Sequence, residues 1–121
     1  GKPTIIGKVG NKALIGLPGH PGAVFFIFNI FVLHLMEVMS GTEKSEVRYV
    51  KAKMAVNNPS NEGREEFLPV KLEKSSEGIL AWPVFSKSGL ISLLSSADGY
   101  VRICRNSEGL TAGEETEAIL F

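Results

Sequence analysis

The sequence predicts two unlike parts: an α/β piece made of a strand hairpin and one long buried helix, then a small all-β barrel with one short helix. Three observations carry this. Two apolar runs flank Gly10-Asn11 and lead into an uncharged apolar stretch from Pro21 to Met36. A polar segment from Ser40 to Glu46 holds no apolar side chain. Beyond it, short apolar segments alternate with turn-forming Gly, Pro, Asn and Ser, as strands of a small β-domain do.

Thr4 to Val9 and Lys12 to Leu17 read as paired strands, because Gly-Asn suits a tight hairpin turn. The second strand meets Pro18-Gly19-His20-Pro21. Pro21 suits the first helical position, where a missing N–H costs nothing, and Gly41 is placed to end the helix in a left-handed cap. Phe25, Phe26, Phe28, Ile30, Phe31, Val32, Leu33 and Leu35 occupy every side of that helix, so it needs cover on most faces. Two strands cannot supply it. The expectation is the tail end of a larger α/β domain, with an uncovered helix side that dimerises or aggregates when alone.

After the polar link, Val47 to Val56 alternates, with Val50, Ala52, Met54 and Val56 on one face. Residues 57–63 read as a loop. Glu66 to Leu72 and Ile79 to Phe85 follow as strands, where Pro69 and Pro83 argue for edge or bulged positions. Leu90, Ile91, Leu93, Leu94 and Ala97 fall at helical spacing, started by Ser88-Gly89 and stopped by Asp98-Gly99. Tyr100 to Cys104 and Glu115 to Phe121 are the last strands, with the GLTAGE turn between them. Such short strands with one small helix point to a compact barrel or sandwich.

Thirteen basic and thirteen acidic residues cancel over 121 positions, and no basic cluster offers an electrostatic footprint for nucleic acid. The single cysteine, Cys104, lies in an apolar run and reads as a buried, inert thiol of a cytoplasmic protein, rather than a nucleophile lacking a base. His20 and His34 stand without a metal-ligand pattern, so no metal site is expected. No signal peptide is visible, and an opening at Gly1-Lys2-Pro3 without methionine reads as a piece of a longer protein. Pro21 to Met36 contains Asn29 and His34 and falls short of the roughly 18 to 20 apolar residues a membrane span requires, so no span is expected.

The unpaired amides at the start of the long helix form a ready anion site. His20, at that turn, is either a cap or a ligand contact. His34 reads as a core or interface imidazole. Lys2 is either an anion partner or a solvated terminal lysine.

The residues also carry a resemblance. GLPGHP before a long apolar helix resembles the G-L-P-G-N-P turn of the molybdopterin molybdenumtransferases, the MoeA and gephyrin E-domain family of molybdenum insertases. GKP before a hairpin resembles the end of that family's K-P-G-K-P segment. GREEFLPVKL, SKSGLISLLSSADGYVRI and SEGLTAGEETEAIL are similar, in order and spacing, to its carboxy-terminal domain. The resemblance implies that residues 1–44 close a molybdopterin-binding α/β domain and that 45–121 are the family's β-barrel domain. It implies insertion of molybdate into adenylylated molybdopterin with release of AMP, a divalent cation such as magnesium, and a homodimer when full-length. It also implies an oxyanion site between the two domains. Lys2 and Pro3 fall on the family's K-P pair, Arg64 on the arginine of its R-x-E-F pattern, and Ser88 on the serine that opens the small helix. With the turn residues Pro18, Gly19, His20 and Pro21 they form the implied substrate-binding set, and no catalytic residue is implied in this stretch. Lys and Arg donors plus a hydroxyl and backbone amides suit a tetrahedral dianion. Three positions depart: His20 replaces an asparagine, Ala23 a frequent serine, and Pro69 a basic residue, which implies a weaker molybdate site or another oxyanion preference. The alternatives are a non-catalytic scaffold or interaction module, as in the gephyrin relatives, and a small-oxyanion binding protein.

Overall fold

The computed structural model describes residues 3–42, 46–61, 63–85 and 91–121. Two compact units divide the chain, the change falling between Glu46 and Val47.

In the first unit, β1 (Ile5–Val9) and β2 (Lys12–Gly16) pair antiparallel from Ile5↔Gly16 to Val9↔Lys12. Gly10 has φ 59° and Asn11 is not left-handed, which is the II′ pattern that fits the twist of a two-residue hairpin. The helix is continuous over Pro21–Ser40 but not uniform. It runs as α1 (Pro21–Ile27), a π-turn at Phe28–Val32 and α2 (Leu33–Ser40). At the π-turn, Leu33 N–H reaches back to Phe28 C=O, and the Asn29 amide donates to Phe25 C=O at 2.8 Å. The far end closes as expected. Gly41 has φ 68°, its N–H reaches Val38 C=O, and Thr42 N–H reaches Glu37 C=O, the paired bonds of a Schellman cap.

Helix burial departs from the sequence reading. No residue from Pro21 to Ser40 is buried within this chain, and His34 is exposed rather than packed in a core. Val32, Leu35, Met36 and Met39 form one stripe that, with Ala13 and Ile15 of β2, lines a groove of about 500 Å³. Residues 22–27 and Ile30 are half-buried, while Phe28, Phe31, Leu33 and Val38 are exposed. The helix also extends beyond Met36, so at 20 residues it is long and apolar enough to cross a membrane by length and composition. The sequence-based length argument against a span does not hold.

The second unit is a closed barrel. Its strands are β3 (Tyr49–Met54), β5 (Glu66–Ser75), β6 (Gly78–Pro83), β7 (Gly99–Ile103) and β9 (Glu115–Leu120), in the order β3-β6-β5-β7-β9. All neighbours are antiparallel except β3 and β6, which close the barrel through a short parallel seam at Lys53↔Leu80 and Met54↔Ala81. Every second residue points inward: Ala52 and Met54, Leu68 and Val70, Ala81, Val101 and Ile103, and Ala118 form the buried core. Val56 lies beyond β3 and is exposed. Two short pieces that the sequence reads as loop and turn, β4 (Asn58–Pro59) and β8 (Gly109–Leu110), pair with each other. Gly109 is required there, since a Cβ would lie 2.3 Å from Asn58 C=O. Of the short helix, α3 (Ile91–Ser96) is described, while the proposed start at Ser88-Gly89 lies outside the described residues.

Two corrections concern residue environment. Pro69 is not on an edge strand, because β5 pairs with β7 on one side and β6 on the other. It is tolerated because it sits where the β6 ladder stops: Val84 N–H donates to Pro69 C=O at 2.9 Å, and proline has no N–H to return. Pro83 ends β6 in the same way. Cys104 falls one residue past β7 and is exposed, so the buried-thiol reading fails.

Asp98 joins three strands. Its N–H donates to Val70 C=O at 2.9 Å, its carboxylate accepts from Leu72 N–H at 2.8 Å, and its C=O accepts from Phe121 N–H at 3.3 Å. Next to it, a Cβ on Gly99 would lie 2.3 Å from Ile119 C=O. Asp98→Ala is expected to cost about 1.5–3 kcal/mol, the value of a hydrogen bond to a charged acceptor. Gly99→Ala is expected to cost about 1–3 kcal/mol by forcing β9 away from β7. Urea unfolding of this chain measures both, and a wild-type midpoint for Asp98→Ala removes the junction from the account.

Candidate functional site

The turn before the long helix is built by the chain itself. Pro18 is buried, while Gly19, His20 and Pro21 are exposed. His20 is the N-cap, with extended backbone (φ −81°, ψ 123°), and Pro21 takes the first helical position. His20 C=O accepts the first intrahelical bond, from Val24 N–H at 3.0 Å. The amides of Gly22 and Ala23 precede that bond, as the first donors of any helix do. The His20 side chain makes no capping hydrogen bond. Instead the imidazole lies over the first turn, about where a Cβ on Gly22 would meet its Cε1 and Nδ1, both at 3.5 Å. Of the two readings of His20, a side-chain cap is therefore excluded.

Arg64 lies in the second unit, in the turn that leads into β5. Gly63, with φ 90°, supplies the bend, and its N–H donates to Arg105 C=O at 2.8 Å. Glu65 pairs with Arg102 of β7, and Glu66 accepts from the Ser60 hydroxyl at 2.5 Å. The residues on either side of Arg64 are thus tied to the barrel. Arg64 itself is exposed and has no ion pair among the described residues. These anchors carry no sequence signal by themselves, since they depend on which turns meet.

Of the other implied site residues, Pro3 is described and exposed, in the first unit with the turn. Lys2 and Ser88 lie outside the described residues. Within the first unit the chain joins Pro18, Gly19, His20 and Pro21 in one turn, and within the second it presents Arg64.

Among the described residues, no three His, Cys, Asp or Glu side chains converge as metal ligands. A groove of about 590 Å³ runs over the outer face of β3 and β9, lined by Tyr49, Lys51, Arg102 and the residues facing them on β9. There Lys51 stands opposite Glu117 and Lys53 opposite Glu115, charge pairs that favour this register. Tyr100 packs between Phe67 and Phe121, with ring centroids 5.7 Å away in each case. Burial, then the neighbouring Tyr49 phenol, pushes its pKa above the usual 10.0.

The family model for the MoeA C-terminal region (domain IV) matches residues 51–121. No curated protein matches the chain. Among solved structures, a molybdopterin biosynthesis moeA protein from Pyrococcus horikoshii is 38% identical, with a TM-score of 0.80 over 99% of this chain and 29% of its own. A second structure of such a protein, from Pyrococcus horikoshii OT3, is 35% identical, with a TM-score of 0.73 over 85% of this chain and 26% of its own. A molybdenum cofactor biosynthesis protein from Pyrococcus furiosus is 33% identical, with a TM-score of 0.71 over 85% of this chain and 36% of its own. The chain therefore spans about a quarter to a third of the length of the solved relatives it matches.

The raised pKa of Tyr100 sets the sign of an alkaline effect. The fold favours the neutral phenol, so this contribution to stability is fully present below pH 10.0 and is lost as pH rises through the higher folded value. Tyr49→Phe removes the second cause, and a phenolate absorbance titration should then show Tyr100 ionising at lower pH than in the wild type. An equal or higher value would remove Tyr49 as a cause.

Proposed function

This chain belongs to the MoeA family, and on that premise we propose that it is the carboxy-terminal part of a molybdenum insertase of molybdenum cofactor biosynthesis. The observation that carries the proposal is the match of residues 51–121 to the family's C-terminal region, with the fold shared over 99% of the chain at 38% identity. In this reading the longer protein takes adenylylated molybdopterin and molybdate, inserts the metal and releases AMP. It acts as a cytoplasmic homodimer, with the long helix covered by protein rather than spanning a membrane. Magnesium serves the longer protein.

The part played here is to hold an anion. Arg64 presents a planar cationic fork from an anchored turn, suited to two oxygens of a tetrahedral dianion. The first amides of the long helix, with the positive end of its dipole, offer a second electropositive place. Lys2, Pro3 and Ser88 complete the proposed substrate-binding set with Pro18, Gly19, His20 and Pro21. Water exclusion and pterin binding fall to the remainder of the protein.

The test is molybdenum insertion by the longer protein. Arg64→Ala is expected to cut turnover at least about tenfold, the loss of one charge-assisted contact, and Ser88→Ala to weaken molybdate use more mildly. The 121-residue chain alone is expected to show no insertion. Turnover by the chain alone, or full activity in Arg64→Ala, overturns this reading. In the second case, binding of a partner protein by the barrel would favour a scaffold role instead.

A further inference from the structure

Two arginines, not one, stand at the end of the barrel where β5 begins. In the β5–β7 ladder Phe67 pairs with Arg102 and Glu66 with Ile103. Beyond the ladder the register slips by one place, so that Gly63 stands across from Arg105 and Arg64 is the next residue along. The backbone shows the two turns staying together, since Gly63 N–H donates to Arg105 C=O at 2.8 Å and Ser60 N–H donates to Glu108 C=O at 2.9 Å. Both arginines are exposed and lack ion pairs among the described residues. Their neighbouring carboxylates are engaged elsewhere: Glu65 holds Arg102, and Glu66 accepts from Ser60. Glu108 is the remaining carboxylate among the described residues of these two turns.

Like charges held on adjoining turns repel each other. A protein that places two guanidinium groups on adjoining turns, and commits the nearest acids to other partners, gains from a doubly negative guest between them. We propose that Arg105 joins Arg64 in a two-arginine site for a tetrahedral dianion, either a free oxyanion or the phosphate monoester of a substrate. This rests on the reading of Arg64 given above and adds a second ligand to it. Arg105 falls in the SEGLTAGE approach, where the turn-forming residues drew the sequence reading and the arginine itself drew none.

The experiment uses this chain at low ionic strength, titrated separately with molybdate and with glycerol 2-phosphate, and read by calorimetric affinity and thermal midpoint. Arg105→Ala, Arg105→Lys and Arg64→Ala are compared with Lys71→Ala, which removes the same charge from an exposed position farther along β5. Without anion, Arg105→Ala should raise the midpoint, because it relieves repulsion, while Lys71→Ala should not. With anion, Arg105→Ala should weaken binding about threefold or more, Arg105→Lys should restore part of it, and Lys71→Ala should bind as the wild type does. Binding of molybdate alone identifies a free oxyanion as the guest; binding of the monoester alone identifies a phosphate; binding of both establishes the shared class.

Wild-type affinity in Arg105→Ala together with weakened binding in Arg64→Ala overturns the role of Arg105 and leaves the Arg64 reading standing. Wild-type affinity in Arg64→Ala strikes at the Arg64 reading itself. Failure of the wild type to bind either anion overturns the two-arginine site.

Discussion

Closing five short strands on themselves leaves an interior that must be filled without forcing the strands apart, and that constraint governs the second unit. Its solution is uneven. Neighbouring β9, β3 and β6 contribute three alanines, Ala118, Ala52 and Ala81, with Met54 at the end of β3, while β5 and β7 contribute Leu68, Val70, Val101 and Ile103. The alanines leave room that the larger side chains fill, as the interior of a narrow barrel requires. The seam between β3 and β6 is held by two paired residues, and Met54 and Ala81 face each other there. A larger residue in place of Ala81 would load that weak joint directly.

The same closure determines what the barrel can present. The amino end of β5 is paired with β7 from Glu66 to Val70, and the turn before it is tied through Gly63, Glu65 and Glu66 to three separate partners. An arginine on a free loop loses much of its binding energy to ordering. Arg64 stands on a turn whose backbone is already fixed, so less ordering remains for a bound anion to impose. Rigid strands thus do for this residue what a second shell does in a metal site.

Much of the architecture was legible because it rests on local chemistry. Gly10-Asn11 has one good hairpin solution, Pro21 and Gly41 mark helix ends by backbone preference alone, and the alternation of Ala52 with Met54 declares an inward face. What escaped depends on partners distant in the chain. Pro69 looked like an edge residue because proline breaks a ladder, yet a ladder that stops at Val84 leaves a harmless place for it inside a closed barrel. Cys104 belongs to an apolar run, but one residue decides whether a side chain belongs to β7 or to the turn after it. Asp98 was read only as a helix stop, since its other bonds reach Leu72 and Phe121. Arg64 was found through resemblance; the bonds that hold its turn were not readable from spacing.

The departures at the helix start can be judged by the same local physics. An asparagine at the N-cap would spend its side chain on a first-turn amide, a bond worth about 1 kcal/mol. His20 keeps the extended N-cap backbone but turns its imidazole over Gly22, so that amide is not consumed. Ala23 offers no hydroxyl in its place. The substitution therefore trades helix stability for open donors. An anion approaching this turn would meet amides that no side-chain cap competes for.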